Sequence, residues 1–286
     1  MRAVIEAQRH RQYVGAKQQD IMGKARPIGA TRLTPARHLL RWQRIGATFI
    51  GLCCVATLFL SWAWNTVPPV DDLSVWVHQY DAAQGAPYTT IDAIAPIMPE
   101  ALVAIEDERF YQHHGLDTVG LLRAMFDNIR ARHFIEGGST LTAQLAKNSY
   151  LRGNDRSATL KLQDLMLAVK IDHSYTKSQI MEFYLNNTYY GDGAYGIGAA
   201  AQHYFGISAA RLDLAQAAVL AGILQAPSYD DPWCHPLAAR SRQASVIDRM
   251  LADGMISSAQ AAAARAEQLP FWQSGGRQAG DSYCQA

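Results

Sequence analysis

A run of twenty uncharged residues, 45–64, is the feature that most constrains how this chain can fold. Its sequence is IGATFIGLCCVATLFLSWAW, which as a helix would rise about 30 Å, the thickness of a bilayer's hydrocarbon core. A cleaved signal peptide has a shorter apolar region and a small-residue cleavage site, whereas this run ends with Trp62 and Trp64. A buried core helix is the alternative, but such helices seldom run this long without a charge. We therefore predict a transmembrane signal anchor.

The charge distribution gives this anchor a direction. Residues 1–44 contain ten Lys and Arg against two acidic residues, about +8, and the remaining chain carries 16 basic and 23 acidic residues, about −7. A basic arm is also typical of nucleic-acid binding, but a following membrane span explains it through the positive-inside rule. We expect a cytoplasmic basic tail at 1–44, the body outside, and no nucleic acid.

The body has mainly helical periodicity. After a Pro- and Asp-containing linker at 65–84, apolar residues between 99 and 227 recur at three- and four-residue spacing, and few segments alternate as strands do. We predict a mainly α domain at 85–255 and a C-terminal tail at 256–286. The amphipathic stretch 118–134 either covers the core or lies in the lipid interface. Cys234 and Cys284 could pair outside the cytoplasm.

Two segments carry candidate chemistry. In AIEDERFYQHHGLD, Glu106 and Asp107 follow an apolar helix face, where partial burial of a carboxylate favours general acid/base catalysis. In EGGSTLTAQLAKN, two glycines precede Ser139 and Thr140 at a helix N-terminus, a place where backbone N–H groups and hydroxyls bind anions. Basic residues follow this turn. The combination indicates attack on a carbon that bears a phosphate leaving group.

Five motifs in order connect these segments to a known family. EDERFYQHHG, GGSTLTAQLAKN, KSQIMEFYLNNTYYGDGAYGIGAAAQHYFG, LAGILQAPSYDDP and RQASVIDRM together resemble the peptidoglycan glycosyltransferases of glycosyltransferase family 51 in their monofunctional, membrane-anchored form. The resemblance covers roughly residues 85–255. It implies a lysozyme-like, two-lobed α fold, with a head and a membrane-facing jaw, on a single transmembrane helix.

The resemblance also implies a reaction and a site. The reaction is polymerisation of lipid II into glycan strands, with inversion and release of undecaprenyl pyrophosphate. Glu106 would be the general base, acting on the acceptor's GlcNAc 4-hydroxyl, and Asp164 the second catalytic carboxylate. The implied substrate-binding residues are Asp107, Phe110, His113, Ser139, Thr140, Gln144, Lys147, Asn148, Arg156, Lys161, Glu182 and Asn186. His113 and Glu182 also have purely structural interpretations, as a hydrogen-bonding residue and as a link between helices.

The implied partners are lipid II, the growing glycan strand, the membrane and other cell-wall synthesis proteins. The implied location is the inner membrane of a bacterium, with a single pass and an extracytoplasmic catalytic domain. A divalent cation, Mg²⁺ or Mn²⁺, would accompany the pyrophosphate, although the sequence contains no metal-ligand motif and the metal ligands stay unassigned.

Three positions depart from the family pattern. Leu160 replaces an arginine, Asp164 a glutamate and Ala143 a glutamine. Aspartate reaches roughly 1 Å less far than glutamate, and a misplacement of that size can cost about a hundredfold in rate. Two alternatives therefore stay open: a degenerate member that binds lipid II or acts as a scaffold, and a lysozyme-like wall hydrolase. The hydrolase would not need an anion-binding turn followed by cations, because its leaving group is a sugar.

Overall fold

The protein is helical over the part of the chain that the structure describes. The structure is a computed structural model, and it describes residues 35–131, 139–151, 158–273 and 284. Over these residues it has isolated β-bridges but no named strand, so the predicted mainly α fold is confirmed. The helices are α1 (Pro35–Thr66), α2 (Leu73–Ala83), α3 (Ile97–Glu106), α4 (Thr118–Ala131), α5 (Leu141–Tyr150), α6 (Ala158–Ser174), α7 (Lys177–Asn187), α8 (Ile197–Phe205), α9 (Leu214–Ile223), α10 (Pro236–Ala252), α11 (Ser258–Ala266) and α12 (Pro270–Gln273), with 3-10 turns at Ile91–Ala93 and Ala209–Arg211.

Helix α1 contains the predicted membrane span. Its stretch Trp42–Thr66 is long and apolar enough to cross a bilayer, with a mean hydropathy of 1.9. Large apolar side chains on it are exposed, Phe49 by 67% and Leu58 by 71%. Such side chains are favourable in hydrocarbon and costly in water. The chain divides into two compact units, Met1–Leu58 and Phe59–Ala286, and the second holds the motifs.

Helix α9 lies at the centre of the second unit. Of its ten residues, those from Ala217 to Ile223 are all buried, and it packs mainly against α10 and α3. Its small side chains allow this close packing: a Cβ on Gly222 would lie 3.1 Å from the backbone carbonyl carbon of Arg242 on α10. A helix that is apolar all round is expected in a core rather than on a surface.

The folded unit extends beyond the predicted domain in both directions. Within the segment predicted as a linker, Leu73 and Val77 of α2 are fully buried. Within the predicted tail, Leu269 and Phe271 are buried, and Cys234 forms a disulfide with Cys284. Both segments are short, and their tertiary contacts show that they belong to the fold.

Side chains of α7 hold the extended segment 88–91 that precedes α3. The Asn186 amide accepts from the backbone N–H of Thr89 at 2.8 Å and donates to the carbonyl of Thr89 at 2.8 Å. The Glu182 carboxylate accepts from the Tyr88 hydroxyl and from the backbone N–H of Ile91 at 2.7 Å. These bonds act as a bridge between two parts of the chain that are about ninety residues apart.

We expect Glu182→Ala to lower the free energy of unfolding by about 2 kcal/mol, since hydrogen bonds to a charged group contribute about 1.5–3 kcal/mol. Urea denaturation of the detergent-solubilised chain measures this. Glu100→Ala, which removes an exposed acid from α3, is the charge-matched control and should change stability by less than about 0.5 kcal/mol. Equal free energies of unfolding for the two variants would show that the hydrogen bonds of Glu182 do not stabilise the fold.

Helix α2 buries a carboxylate without a partner. Asp81 is 1% exposed, and neither of its carboxylate oxygens has a hydrogen-bond partner among the described residues. Burial raises the pKa of Asp81 from 3.8 to about 7, because the charged form loses its hydration. Burial raises the pKa of nearby Tyr88, and the hydrogen bond and charge of Glu182 and the charge of Asp81 add to this rise.

This pKa predicts a pH-dependent stability. The folded carboxyl keeps its proton up to about pH 7, whereas the unfolded one loses it near pH 3.8. The contribution of Asp81 to the free energy of unfolding is therefore fully present below pH 3.8 and is lost as the pH rises to about 7. We expect Asp81→Asn to remove this loss, with a gain of up to about 4 kcal/mol at pH 8 and none at pH 4. Denaturation at both pH values measures it, and an equal gain for the exposed control Asp92→Asn would contradict the assignment.

Candidate active site

The end of α3 and the start of α5 are joined by one buried carboxylate. Asp107, the residue after α3, accepts the backbone N–H of Leu141 at 3.0 Å through Oδ2. Its Oδ1 lies 2.9 Å from Nε2 of His113. Asp107 is 7% and His113 9% exposed, so the pair is shielded from water. The first turn of α5 is thereby fixed against the last turn of α3.

A second bond fixes the same junction. Thr140, the N-cap of α5, accepts the backbone N–H of Ala143 at 3.1 Å and donates its hydroxyl to the carbonyl of Gly115 at 2.7 Å. A side chain on Gly115 would collide with the backbone of Ala168 at 2.5 Å, so a residue without Cβ is required where this turn meets α6. Capping satisfies N–H groups that would otherwise be unpaired.

A polar cleft opens beside this junction. Its volume is about 410 Å³, and Glu106, the last residue of α3, lines it together with Gln144 of α5. Gln144 donates from Nε2 to Oε2 of Glu106 at 2.8 Å. The cleft therefore presents a carboxylate that is oriented by a protein donor, which is a requirement for a general base.

Arginines from two other helices also line the cleft. Arg249 of α10 pairs with Glu108, and Arg123 of α4 lies 3.6 Å from the same carboxylate. Arg242 of α10 donates to the carbonyl of Gly222 at 2.9 Å. Arg242 and Arg249 lie in the motif RQASVIDRM, but no role in the site was predicted for them or for Arg123. Helical periodicity could have found two of them, because Arg242 and Arg249 are seven residues apart and so share one face of a helix.

Two cations on α5 and α6 lie within electrostatic reach of one carboxylate. Lys161 donates from Nζ to Oγ of Ser139 at 2.7 Å, and Ser139 lines the cleft. Asp164 is 9% exposed, and burial raises its pKa while Lys161 and Lys147 oppose that rise. The two lysines and the Asp164 carboxylate are thus close enough to interact electrostatically. Arg156 and the side chain of Leu160 lie outside the described residues.

Other predicted site residues have partners within the fold. Phe110 is fully buried, and its ring centroid lies 6.2 Å from that of His113. It therefore packs beside the residue that binds Asp107. Glu182 and Asn186 bind segment 88–91, as described above, and are not among the residues that line the cleft. Asn148 is half-buried on α5. The structure thus brings Glu106, Asp107, Ser139, Thr140 and Gln144 together at the cleft. It sets Lys161 on Ser139 and places Asp164 within the electrostatic reach of Lys161 and Lys147.

Helix α4 presents an exposed apolar face beside the cleft. Leu122, Phe126 and Ile129 are 61–67% exposed, so these side chains do not cover the core, and a position of the stretch 118–134 in the lipid interface stays a prediction. Gly120 and Leu121 from the same helix line the cleft. The helix is positioned through its N-terminus, where the Asp117 carboxylate accepts the Gly120 N–H at 2.9 Å.

Comparisons with known proteins identify the family of the chain. A protein of Cupriavidus necator whose name describes it as a transglycosylase is 40% identical over 208 residues, which are 73% of this chain and 87% of that protein. Penicillin-binding protein 1A of Aquifex aeolicus is 39% identical over 225 residues, 74% of this chain. Penicillin-binding protein 1A of Neisseria flavescens is 43% identical over 184 residues, 64% of this chain.

The similarity to the penicillin-binding proteins is restricted to one part of each. This chain spans 30% of the length of the Aquifex protein and 23% of the Neisseria protein. The model of the transglycosylase family matches residues 74–251, a range that includes α3, α5 and the whole cleft. On this match and on the relative from Cupriavidus necator, the chain belongs to the transglycosylase family.

Proposed function

We propose that this protein is a peptidoglycan glycosyltransferase that polymerises lipid II into glycan strands. The observation that carries the proposal is the position of Glu106, which lines a polar cleft and is held by Gln144 at 2.8 Å. Ser139, which binds Lys161, lines the same cleft. Membership of the transglycosylase family supports the same reaction. A carboxylate and cations in one region suit transfer of a sugar from a pyrophosphate.

The proposed reaction is a single inverting displacement. Glu106 accepts the proton of the acceptor's GlcNAc 4-hydroxyl through Oε1, the oxygen that Gln144 does not hold. The acceptor oxygen forms a bond to the anomeric carbon of the donor's MurNAc. The bond from that carbon to the pyrophosphate oxygen breaks, and undecaprenyl pyrophosphate leaves with the electron pair. Each added sugar unit thus extends the strand and releases one lipid pyrophosphate.

The leaving group would be stabilised by the cations near α5. Lys161 is already fixed by Ser139 at 2.7 Å, so its ammonium is oriented before substrate arrives. Lys147 is exposed and is free in solvent to reach a phosphate. Preorganised cations favour a transition state in which negative charge develops on the pyrophosphate. We also propose Asn148 and Arg156 as contributors to this site.

A divalent cation, Mg²⁺ or Mn²⁺, would accompany the pyrophosphate. Among the described residues there is no cluster of three His, Cys, Asp or Glu side chains that could hold a metal ion. Mg²⁺ in phosphate sites is commonly held by phosphate oxygens and one or two carboxylates. Here the ion would neutralise phosphate charge.

We propose that the protein is a single-pass protein of a bacterial cytoplasmic membrane. The apolar stretch Trp42–Thr66 would be the anchor, and the basic residues before it favour a cytoplasmic N-terminus. The Cys234–Cys284 disulfide supports an extracytoplasmic catalytic unit, since disulfides persist in oxidising compartments. The partners would then be lipid II, the growing strand and other cell-wall synthesis proteins.

We expect Glu106→Gln to abolish polymerisation while the fold is kept, because the variant preserves shape and removes the proton acceptor. General base catalysis contributes about 10²–10⁴-fold. The measurement is glycan-strand formation from lipid II by the detergent-solubilised chain, with and without a phosphoglycolipid inhibitor. A variant that polymerises at the wild-type rate would refute the assignment of Glu106. Digestion of purified sacculi by the wild-type chain would instead favour a wall hydrolase.

We expect Asp164→Ala to lose most of the polymerisation rate and Asp164→Glu to keep or raise it. Asp164 is buried, and the charges of Lys161 and Lys147 oppose the rise of its pKa that burial causes. A carboxylate kept in such a place is hard to explain as a surface helix pair, which would contribute only about 0.2–0.5 kcal/mol. Steady-state rates with lipid II for the three proteins decide this.

The same experiment tests the scaffold alternative. A degenerate member that only binds lipid II would show no polymerisation in any of these proteins and would still retain lipid II in a binding assay. An active wild-type chain whose Asp164→Ala variant is equally active would show that one carboxylate is enough, and would leave Asp164 as a structural residue.

A further inference from the structure

The amide of Gln144 is bonded at both ends. Its Nε2 donates to Oε2 of Glu106 at 2.8 Å, and its Oε1 accepts the hydroxyl of Tyr184 at 2.9 Å. Tyr184 belongs to α7 and lies forty positions further along the chain. Its side chain is 2% exposed and is part of the hydrophobic core. A core residue thus ends a hydrogen-bond chain whose other end lines the cleft.

We infer that Tyr184 is a positioning residue for Glu106: its hydroxyl fixes the Gln144 amide, and the amide in turn holds one carboxylate oxygen and leaves the other for the proton. This inference rests on the proposed function of Glu106 as general base. Tyr184 itself keeps its proton throughout and does not touch the substrate.

The direction of each bond follows from the groups involved. A carboxylate only accepts hydrogen bonds, so Gln144 must turn its NH₂ group toward Glu106. Its carbonyl oxygen then faces Tyr184 and requires a donor there. With the amide reversed, the carbonyl would face the carboxylate, two acceptors without a proton between them. The phenol is a donor, so only one orientation of the amide satisfies all three residues.

The Tyr184 hydroxyl keeps its proton and so remains a hydrogen-bond donor. Burial, together with the negative charge of Glu106, raises the pKa of Tyr184 well above its usual value, so the hydroxyl stays protonated at any physiological pH. The position of Gln144 is fixed as well, since Asp107 holds the backbone N–H of Leu141 at the start of the same helix. Residues 141 and 144 are one turn apart, and so both meet the end of α3.

The hydroxyl should therefore matter to rate rather than to binding. Without it, the half-buried Gln144 can turn its amide toward water, and Glu106 loses its donor for part of the time. Misorientation of a base lowers the rate of proton transfer without changing the surface that substrate contacts. One hydrogen bond of ordinary net strength corresponds to about a tenfold change in rate.

The test compares two variants, each of which removes the hydroxyl oxygen of one buried tyrosine. Tyr184→Phe should lower kcat for lipid II polymerisation about tenfold, with KM within about twofold of wild type. Tyr190→Phe is the matched control, because Tyr190 is also fully buried and its hydroxyl donates to the carbonyl of Leu185 at 3.4 Å. The control should keep the wild-type kcat. A wild-type kcat for Tyr184→Phe would overturn the inference.

A double-mutant cycle separates positioning from general stability. If Tyr184 acts through Gln144, then Tyr184→Phe should lower kcat no further in a Gln144→Ala background. A second drop of about tenfold in that background would show an independent structural role and overturn the inference. Melting temperatures of all four proteins are recorded, and this comparison holds even where Tyr184→Phe lowers the melting temperature.

The controls also distinguish this inference from the proposed function. An active wild-type chain with an inactive Glu106→Gln variant supports the proposed function whatever Tyr184→Phe does. An inactive wild-type chain overturns the proposed function and the inference together.

Discussion

The bond between the Asp107 carboxylate and the backbone N–H of Leu141, 3.0 Å long, is the interaction on which the cleft depends. It joins the C-terminus of α3 to the N-terminus of α5, which are more than thirty residues apart in sequence. An acceptor at a helix N-terminus satisfies a donor that has no partner within the helix and also interacts favourably with the helix dipole. Glu106 precedes Asp107, and Gln144 follows Leu141 by one turn. The bond between Asp107 and Leu141 therefore aligns the Glu106 carboxylate with the Gln144 amide that holds it.

The polar groups around the cleft differ in how far the protein already satisfies them. Asp107 and Thr140 have their hydrogen bonds within the fold and are buried, so their contribution is rigidity. Glu106 has one oxygen held by Gln144, and Lys147 is exposed. A site that must bind a charged substrate needs both kinds of group: buried pairs that cannot rearrange, and partly free groups that exchange water for substrate.

Sequence reasoning predicted the parts of this structure that depend on local pattern. The membrane span and the helical body follow from composition and period, and Glu106, Ser139, Thr140 and Gln144 come from two short motifs whose residues do meet at the cleft. Tertiary packing decided the rest. The burial of Leu73 and the disulfide of Cys284 show that short segments outside the motifs belong to the fold. Helical periodicity places Arg242 and Arg249 on one face of α10, but that this face borders the cleft depends on tertiary packing.

The two faces of α4 connect the cleft to the nature of the proposed substrate. Gly120 and Leu121 line the cleft, while Leu122 and Phe126 expose more than half of their surface. An exposed apolar face of this kind is costly in water and favourable against lipid. Under the proposed function, the donor carries its sugar and its undecaprenyl chain on either side of a pyrophosphate. A helix with one face in the cleft and the other suited to lipid lets the sugar reach Glu106 while the chain stays in hydrocarbon, so extraction of the lipid adds no cost to the reaction.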